Sequence, residues 1–314
     1  MRNWAAVTMR LSLSKISCGV LLTLITLSWI GIYSSLMAGD QPQVSHRARS
    51  LQPGEVVHFA VSLPERADEV KAEAFQKVFR FYPGESNLDH VWEGLVGIDL
   101  NAKAGNHEVQ ISAFRRGVKV FESHRTLEVF SKEFPERRIT VEEKFATPPQ
   151  SQLERIRLES KKVSGIFART TPERIWDGRF IRPVPGKVIS SFGKRSIVNG
   201  QPRSPHSGTD FRAAEGTPVK APNAGKVALV QDLFFAGNTV ILDHGLGLYS
   251  YFAHLSKFDV SEGQIVAKGD VVGEVGSTGR VTGPHLHWTL RLTGTRVDPL
   301  SLMAVLEATS QESE

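Results

Sequence analysis

The sequence predicts a mainly β protein with an N-terminal membrane or signal helix, a small β-sandwich, a linker helix and a C-terminal all-β domain. Polar and apolar residues alternate over residues 50–145, a charge-rich helical pattern follows over residues 146–178, and glycines interrupt short runs of Val, Ile and Leu over residues 180–306. The length of 314 residues suits two domains. Hydrophobic and charged contents of 40% and 23% exclude a wholly disordered chain.

The N-terminal element is an uncharged run over residues 16–39 that follows Arg2, Arg10 and Lys15. This run is long enough to cross a bilayer, which takes about 20 apolar residues. Because the basic flank lies on the N-terminal side, the positive-inside rule predicts a cytoplasmic N-terminus and export of the rest. Residues 1–39 are therefore expected to be a signal peptide or a signal anchor, and the sequence leaves both cleavage and retention open.

Residues 50–145 are expected to form a small antiparallel sandwich of the immunoglobulin-like type. Alternation marks strands over residues 57–61, 76–82, 108–114 and 118–130. Turn pairs such as Pro53-Gly54 and Arg116-Gly117 separate these runs. Short strands at this spacing are typical of β-sandwiches.

The linker over residues 146–178 contains a helix signal directly after Pro148-Pro149. Ser151-Gln152-Leu153-Glu154 matches a capping box, in which the first side chain accepts a hydrogen bond from the backbone N–H of the fourth residue. The sequence therefore predicts that a helix opens at this tetrapeptide. A charge-rich helix in this place is typical of a packed spacer between two domains.

The composition restricts the available chemistry. The formal net charge of +5 is mild, and the chain lacks basic patches with interleaved aromatic residues, so we expect no nucleic-acid partner. The single cysteine, Cys18, lies in the apolar N-terminal run. It therefore excludes an internal disulfide framework and any Cys-based zinc site. Any metal must be held by histidines and carboxylates.

The first polar cluster of the C-terminal region is an H-x-x-x-D pattern formed by His206 and Asp210. This spacing would place both side chains on one face of a helix. Pro205 and Gly208 argue against a helix, since both are poor helix formers. We therefore expect a loop to bring His206 back beside Asp210 at the start of the next strand.

The second cluster is the H-x-H pair in His285-Leu286-His287, and His254 ends a strand-like run over residues 248–254. Residues two apart on a strand point to the same face, so both imidazoles of the pair can converge on one point. Such a pair can also be a simple packing or surface pair. A catalytic zinc site takes three His or carboxylate ligands and keeps a fourth position for water. His206, Asp210 and one histidine of the pair meet this requirement, and two histidines remain for proton transfer and oxyanion stabilisation.

Six segments resemble the lysostaphin/LytM-type zinc metalloendopeptidases, in unbroken order over about residues 180–305. They are VISSFGKR at 188–195, PHSGTDF at 205–211, EGTPV at 215–219, YFAHL at 251–255, GSTG at 276–279 and GPHLH at 283–287. Enzymes of this family cut peptide bonds in bacterial cell-wall peptidoglycan. The resemblance implies a zinc metallopeptidase domain over residues 180–306 and peptidoglycan as the substrate. The sandwich is also similar, less specifically, to an accessory domain of some relatives.

The resemblance also implies the roles of the five polar residues. His206, Asp210 and His287 are the expected ligands of one Zn²⁺ per chain. His254 and His285 are the expected catalytic residues, which flank the zinc-bound water and the scissile carbonyl. Zinc lowers the pKa of its water, and the two histidines transfer protons during attack and departure of the amine. The sequence leaves open which histidine performs which step.

Two other functions are alternatives to the peptidase: a scaffold or amidase activator, and a carrier domain. Some relatives have lost ligand residues and activate cell-wall amidases, so a non-enzymatic scaffold or amidase activator with the same fold is the main alternative. This chain keeps all five positions, which favours an enzyme. Residues 266–276 resemble part of a biotinyl/lipoyl-type carrier domain, but the chain has no lysine flanked by methionines as an attachment site. The expected location is the periplasm or cell envelope, with anchoring in the inner membrane through residues 16–39 if these are not cleaved.

Overall fold

The computed structural model describes residues 41–84 and 90–312, with side chains up to residue 307. The predicted membrane or signal segment over residues 1–39 lies outside the described residues. Within those residues, no helix is both long enough and apolar enough to span a membrane.

Eight strands form the N-terminal β region. They are β1 (Gln43–Ala48), β2 (Val56–Ser62), β3 (Glu69–Ala74), β4 (Lys77–Arg80), β5 (Tyr82–Pro83), β6 (Val91–Gly97), β7 (Gly105–Arg115) and β8 (Val118–Val129). A short strand and two helices follow: β9 (Glu136–Ile139), α1 (Glu143–Ala146) and α2 (Gln150–Phe167).

The C-terminal region contains twelve strands and one helix among the described residues. The strands are β10 (Val188–Ser190), β11 (Arg195–Val198), β12 (Gln201–Pro202), β13 (Thr209–Phe211), β14 (Pro218–Lys220), β15 (Gly225–Leu233), β16 (Gly237–Gly245), β17 (Leu248–Phe258), β18 (Ile265–Val266), β19 (Val271–Val275), β20 (Leu286–Leu292) and β21 (Thr295–Val297). The helix is α3 (Pro299–Glu312). The prediction of a mainly β protein is confirmed.

The N-terminal strands form two four-stranded antiparallel sheets, with strand orders β1-β2-β6-β5 and β4-β3-β7-β8. Alternate apolar side chains of both sheets are fully buried in one core, among them Phe59, Phe79, Ile111 and Leu127. Arg116 and Gly117 have φ angles of 50° and 77°, the conformation of a tight two-residue hairpin turn between β7 and β8. The immunoglobulin-like assignment of this sandwich stays a prediction.

The segment after the sandwich is tied to the C-terminal region by a parallel strand pair. β9 pairs with β11 in the order β12-β11-β9, with Glu136 opposite Arg195 and Ile139 opposite Val198. The backbone hydrogen bonds of this pair hold β9 against the C-terminal region. The side chains of β9 therefore occupy fixed positions beside β11.

The predicted capping box is wrong. Helix α2 begins at Gln150, with Pro149 in the cap position and no side-chain capping hydrogen bond. Ser151 consequently lies inside the first turn, where its hydroxyl cannot cap, and the Glu154 carboxylate binds Arg157 with an Nη2–Oε1 distance of 2.6 Å. The fixed φ of proline is already suited to the start of a helix, which explains why the helix begins earlier than the tetrapeptide indicates.

The C-terminal strands form a ten-stranded sheet whose main path is β10-β13-β20-β17-β16-β15-β18, with β14, β19 and β21 attached to it. The sequence pattern did not predict helix α3, which follows this sheet. Asp298 precedes it and accepts a hydrogen bond on Oδ1 from the backbone N–H of Leu300 at 3.0 Å. An Asp cap followed by Pro299 is a sequence signal for a helix start, and it could have revealed α3.

A partly buried ion-pair cluster joins the sandwich to α3. Nη2 of Arg49 lies 2.7 Å from Glu55 Oε1 and 2.7 Å from Asp298 Oδ2, and the Ser301 hydroxyl donates to Glu55 Oε2 at 2.7 Å. Burial alone would raise the pKa of Glu55, but the hydrogen bonds from Arg49 and Ser301 outweigh it and lower this pKa. Glu55 is therefore ionised, and its charge is fully paired. The division into separate domains with the predicted boundaries stays a prediction.

Candidate metal centre

Three neighbouring strands of the large sheet position the polar clusters. In the antiparallel register, His287 of β20 lies between Asp210 of β13 on one side and Ala253 of β17 on the other. Side chains directly opposite each other on adjacent strands lie within contact distance. The sheet therefore brings Asp210 and His287 together although they are far apart in sequence.

A loop brings His206 to the same point, as the H-x-x-x-D pattern predicts. The backbone N–H of His206 donates to Lys194 O at 2.9 Å, and its carbonyl accepts from Gly193 N at 2.8 Å. Gly208 lets this loop lie flat on β20, because a Cβ at this position would be 2.5 Å from Trp288 O. Any larger residue at position 208 would push the loop away from the sheet.

The three side chains converge on one point. His206 Nε2 and His287 Nδ1 lie 2.9 Å and 2.8 Å from Asp210 Oδ1, and the two ring nitrogens are 2.9 Å apart. In the part of the chain that the structure describes, this is the one group of three His, Cys, Asp or Glu side chains with ligand atoms close enough to hold a metal ion. The group joins both clusters that the sequence indicated, and the histidine from the H-x-H pair is His287.

The outer nitrogens of both rings are occupied by oxygen partners. His206 Nδ1 donates to Ser191 O at 3.1 Å, and His287 Nε2 lies 2.9 Å from Thr289 Oγ1. Because a carbonyl oxygen can only accept, the proton of a neutral His206 is on Nδ1 and its Nε2 lone pair points at Asp210. This arrangement is typical of metal-binding histidines, whose second nitrogen is held by an oxygen partner.

The charges of the three groups suit a bound cation. Burial by itself would raise the pKa of Asp210, but its close contacts with His206 and His287 outweigh it and hold this pKa well below the usual range. Burial lowers the pKa of His287, which favours a neutral imidazole. A carboxylate and neutral imidazoles with facing lone pairs form a donor set for a divalent ion. The residues present therefore fit the metal that the sequence implies.

His254 reaches the site through a β-bulge. Between β16 and β17 the register shifts, so that Asn238 faces Leu255 while Val240 faces Phe252, and one extra residue stands on β17. His254 has a φ of 66°, a left-handed conformation that few non-glycine residues adopt. A bulge turns a side chain out of the strand alternation. Its ring centre lies 5.9 Å from that of His287.

His254 and His285 present the same ring atom to the site. Nδ1 of His254 donates to Thr278 O at 2.9 Å, and Nδ1 of His285 donates to Gly283 O at 2.8 Å. Each neutral ring therefore has an unprotonated Nε2, and that of His285 lies 3.9 Å from Asp210 Oδ1. Burial, together with the nearby His287 and His285, lowers the pKa of His254 to about 3. Both rings are oriented to accept a proton on Nε2.

The five residues line a cavity of about 390 Å³. Residues 203–205, in the loop before His206, also line it, and so do Phe235 and Ala236 between β15 and β16. Tyr251 also lines the cavity, and burial raises its pKa to about 12, so it stays protonated. Tyr249 instead donates its hydroxyl to Arg169 O at 3.0 Å, a packing contact below the linker.

Sequence reasoning missed one wall of the cavity. Residues between the sandwich and the large sheet form part of that wall, among them Arg137, Ile139, Val141 and Phe167. Arg137 and Ile139 arrive there through the β9–β11 pair, which no local pattern indicates. Arg280, in the loop before β20, was missed as well. The Thr278 and Gly283 carbonyls that orient the two histidines lie within quoted motifs but had no assigned role.

His244 of β16 lies outside this group. Its ring is fully buried, with Nδ1 donating to Ala224 O at 2.7 Å and Nε2 accepting from the Ser250 hydroxyl at 2.8 Å. The Ser250 oxygen in turn accepts from Trp288 Nε1 at 3.2 Å. Every ring nitrogen of His244 is thus satisfied within the core.

Known proteins with similar sequence and structure include peptidases. A family model described as peptidase family M23 matches residues 204–299. A crystal structure from Pseudomonas aeruginosa, assigned to the M23 peptidases, is 35% identical with a TM-score of 0.65, and covers 82% of this chain and 97% of that chain. The chain belongs to peptidase family M23. The match to the Pseudomonas structure extends far beyond residues 204–299, so the similarity to an M23 protein includes the N-terminal β region.

Curated M23 relatives match over a shorter stretch. The peptidoglycan DD-endopeptidase ShyA of Vibrio cholerae is 40% identical over 121 residues, which are 38% of this chain and 28% of ShyA. The DD-carboxypeptidase/endopeptidase Mpg of Neisseria meningitidis is 44% identical over 116 residues, which are 37% of this chain and 27% of Mpg. The matched stretch is thus under a third of the length of either M23 relative.

Proposed function

We propose that this chain is a zinc-dependent endopeptidase that hydrolyses peptide cross-links or stem peptides of bacterial peptidoglycan. The observation that carries the proposal is the convergence of His206 Nε2, Asp210 Oδ1 and His287 Nδ1 within 2.9 Å of one another on a cavity wall. Membership in the M23 family supports it, and so do the names of ShyA and Mpg. The name of ShyA supplies peptidoglycan as the substrate class.

His206, Asp210 and His287 would hold the metal. Two imidazoles and one carboxylate are a usual ligand set for catalytic zinc, which keeps a further position open. When bound, the ion supplies a Lewis acid that polarises the scissile carbonyl and makes water a stronger acid. Ser191 O and the Thr289 hydroxyl keep the two imidazoles oriented toward the ion.

His254 and His285 transfer protons in the proposed reaction. The Thr278 and Gly283 carbonyls hold the proton on Nδ1 of each ring, so each Nε2 is free to accept a proton from the attacking water. The protonated ring then donates from Nε2 to the departing amine or stabilises the developing oxyanion. The buried position of His254 limits access of bulk water to this exchange, since its side chain is 9% exposed.

The proposed substrate also determines where the protein works. Peptidoglycan lies outside the cytoplasmic membrane, so residues 40–314 are proposed to act in the periplasm or cell envelope. The basic flank and uncharged run over residues 16–39 supply the export signal and, if uncleaved, an inner-membrane anchor. The sandwich over residues 50–145 is proposed as an accessory domain, the stretch 146–178 as a linker and residues 180–306 as the peptidase domain. Protease treatment of spheroplasts tests the location, because the peptidase region should be digested without lysis.

Digestion of purified peptidoglycan tests the reaction itself. Incubation with the protein should release muropeptides with cut peptide bonds and intact glycan, and a chelator should stop the release until zinc is restored. His206→Ala should be inactive, whereas His124→Ala, a change at an exposed sandwich histidine, should cleave like the wild type. Cleavage that appears only when an amidase is added would instead identify an amidase activator.

A further inference from the structure

Three arginines from separate parts of the chain line the same cavity as the metal ligands. Arg137 comes from β9, Arg203 from the loop after β12, and Arg280 from the loop between β19 and β20. Asp210 is the one acidic residue among the described residues that line the cavity. Since this carboxylate already faces His206 and His287, the arginines have almost no negative charge to bind.

The positive charge of Arg280 has the fewest polar partners of the three arginines. Its guanidinium lies 4.9 Å from the centre of the Phe235 ring, and its backbone N–H is fixed by Phe235 O at 2.8 Å. Its side chain makes no ion pair or hydrogen bond with any residue that the structure describes. Burial lowers the pKa of Arg280, and so do the positive charges of Arg203 and Arg137. The fold therefore holds a partly buried cation close to two others.

Neutral oxygens account for most contacts of the other two arginines. Nη2 of Arg203 donates to Ala146 O and, at 2.6 Å, to Gln201 Oε1, while its buried Nε has no partner. Nε of Arg137 donates to the Ser196 hydroxyl at 3.1 Å, and its Nη1 lies 3.8 Å from Asp210 Oδ2. A guanidinium has five N–H donors, so several remain available on each side chain.

The fourth arginine of the cavity, Arg291, differs from these three. Its guanidinium lies over the Phe167 ring at 5.3 Å. Burial and the charge of Arg296 lower the pKa of Arg291 to about 10, and the nearby Asp99 carboxylate opposes this change. Arg291 therefore has both an aromatic surface and an acidic neighbour. Arg137, Arg203 and Arg280 are here called the arginine cluster. Among the described residues that line the cavity, the cluster has no acidic neighbour besides the metal-site carboxylate.

We propose that the arginine cluster binds a free carboxylate of the peptide substrate and so makes this peptidase selective for acidic peptides. Like charges in a partly buried site repel strongly, and a bound anion removes this cost. The planar fork of a guanidinium matches a carboxylate with two parallel N–H···O bonds. This inference rests on the proposed function, because it assumes that the substrate is a peptide with free carboxylates. The arginine cluster would give the peptide a second point of attachment, in addition to the metal site, and so hold it beside the reacting carbonyl.

Paired peptides test the inference. The probes are a cross-linked stem-peptide dimer, the same dimer with its C-terminal carboxylate amidated, and the dimer with only its internal free carboxylates amidated. Binding is measured by calorimetry and cleavage as kcat/KM. Hydrogen bonds to a charged group contribute about 1.5–3 kcal/mol, so one amidation should weaken binding roughly 10- to 150-fold. The amide that causes this loss identifies which carboxylate is bound.

Variants connect the selectivity to the arginine cluster. Arg280→Gln should bring the ratio of acid to amide binding close to one, and Arg280→Lys should keep part of it because the charge remains without the fork. Arg182→Gln, at an exposed arginine outside the cavity, should keep the wild-type ratio. Zinc content should be the same in all four proteins, since none of these residues is a proposed ligand.

The outcomes separate this inference from the proposed function. Equal binding of acid and amide by the wild type, or an unchanged ratio in Arg280→Gln, overturns the carboxylate site while leaving peptide cleavage intact. Tighter binding of the acid without cleavage of any dimer supports the carboxylate site and contradicts the proposed peptidase activity.

Discussion

The histidines of the metal centre and the core histidine His244 differ in how their ring nitrogens are paired, although β20 takes part in both environments. His287 of β20 faces the cavity. Trp288, the next residue, faces the core, where it shares the Ser250 hydroxyl with His244. Around His244 every ring nitrogen has a complementary partner, a carbonyl on one side and a hydroxyl on the other. At the metal centre the inner nitrogens of His206 and His287 face each other and a carboxylate across 2.8–2.9 Å.

The difference shows what distinguishes a structural histidine from a ligand in this fold. Burial differs between them, since His244 is fully buried and the ligands His206 and His287 are partly buried. The clearer feature is the direction of the lone pairs. Each ring nitrogen of His244 has a complementary donor or acceptor, whereas the Nε2 lone pair of a neutral His206 faces the Asp210 carboxylate, which is also an acceptor. A divalent cation bound between these atoms satisfies both of them, and the following predictions test this contrast.

The largest effect is expected at the ligands. His287→Ala removes one of the three donor atoms, so the protein should lose its zinc and its peptidoglycan cleavage should fall to background. His244→Asn changes the fully buried histidine of the core and should keep one zinc per chain. Elemental analysis of both variants measures this directly. Retention of stoichiometric zinc by His287→Ala would show that the donor set is assigned wrongly.

The next largest effect is expected at His254 and His285. Neither is a proposed ligand, so alanine at either position should leave zinc bound while kcat falls about 10²- to 10⁴-fold, the usual contribution of a general acid or base. Steady-state cleavage of a soluble muropeptide gives kcat, and His124→Ala serves as the control. Near-normal turnover in either variant would remove that histidine from the mechanism.

The structural histidine should be visible in the pH dependence of stability. Burial lowers the pKa of His244 from 6.5 to about 4, against the opposing influence of the Ala224 carbonyl and Asp243. Between pH 6.5 and 4 the unfolded chain therefore binds a proton that the folded chain does not. The stability contributed by neutral His244 is complete above pH 6.5 and is lost as the pH falls toward 4, a change of about 3 kcal/mol.

Denaturant unfolding of metal-free wild type and His244→Asn at pH 7 and pH 4 measures this change. The difference in unfolding free energy between the two proteins should narrow by about 3 kcal/mol at the lower pH, because only the wild type has this titration. The cavity histidines are present in both proteins and cancel in the difference. A gap that stays the same at both pH values would falsify the assignment of His244.

The smallest effect is expected from two matched hydroxyl changes. Thr289→Val removes the oxygen beside His287 Nε2 and should weaken zinc affinity about 10- to 100-fold, as loss of a ligand's hydrogen-bond partner typically does. Ser250→Ala removes the equivalent oxygen beside His244 and should leave zinc affinity unchanged. Competition with a chromophoric chelator gives both affinities. Equal losses in the two variants would mean that Thr289 acts only through general packing.

Local spacing was sufficient to predict the mainly β fold and the core of the site. The H-x-x-x-D and H-x-H patterns depend on the period of a strand and on one loop, which Pro205 and Gly208 indicate. The direction of the His254 side chain could not be predicted from the sequence. It depends on a β-bulge and a φ of 66°, which follow from the pairing of β16 with β17. The capping-box prediction was wrong for a local reason. Pro149 starts the helix before Ser151, although Ser151 to Glu154 match the capping pattern.

Long-range pairing explains the remaining omissions. Arg137 enters the cavity only because β9 adds in parallel to β11, and residues 136–139 alone show nothing of this. Arg203 and Arg280 lie in loops whose sequence has no feature that predicts convergence. A cluster built from three distant segments becomes visible only when the tertiary fold is known.

We expect His206 Nε2, Asp210 Oδ1 and His287 Nδ1 to be the ligand atoms of a catalytic zinc site. A zinc titration of metal-free protein, with bound metal and peptidoglycan cleavage measured in the same samples, tests it most directly. Cleavage should rise in proportion to bound zinc and level off at one ion per chain. Full cleavage by samples that contain no metal, or binding of one zinc with no cleavage at any point of the titration, would contradict the claim.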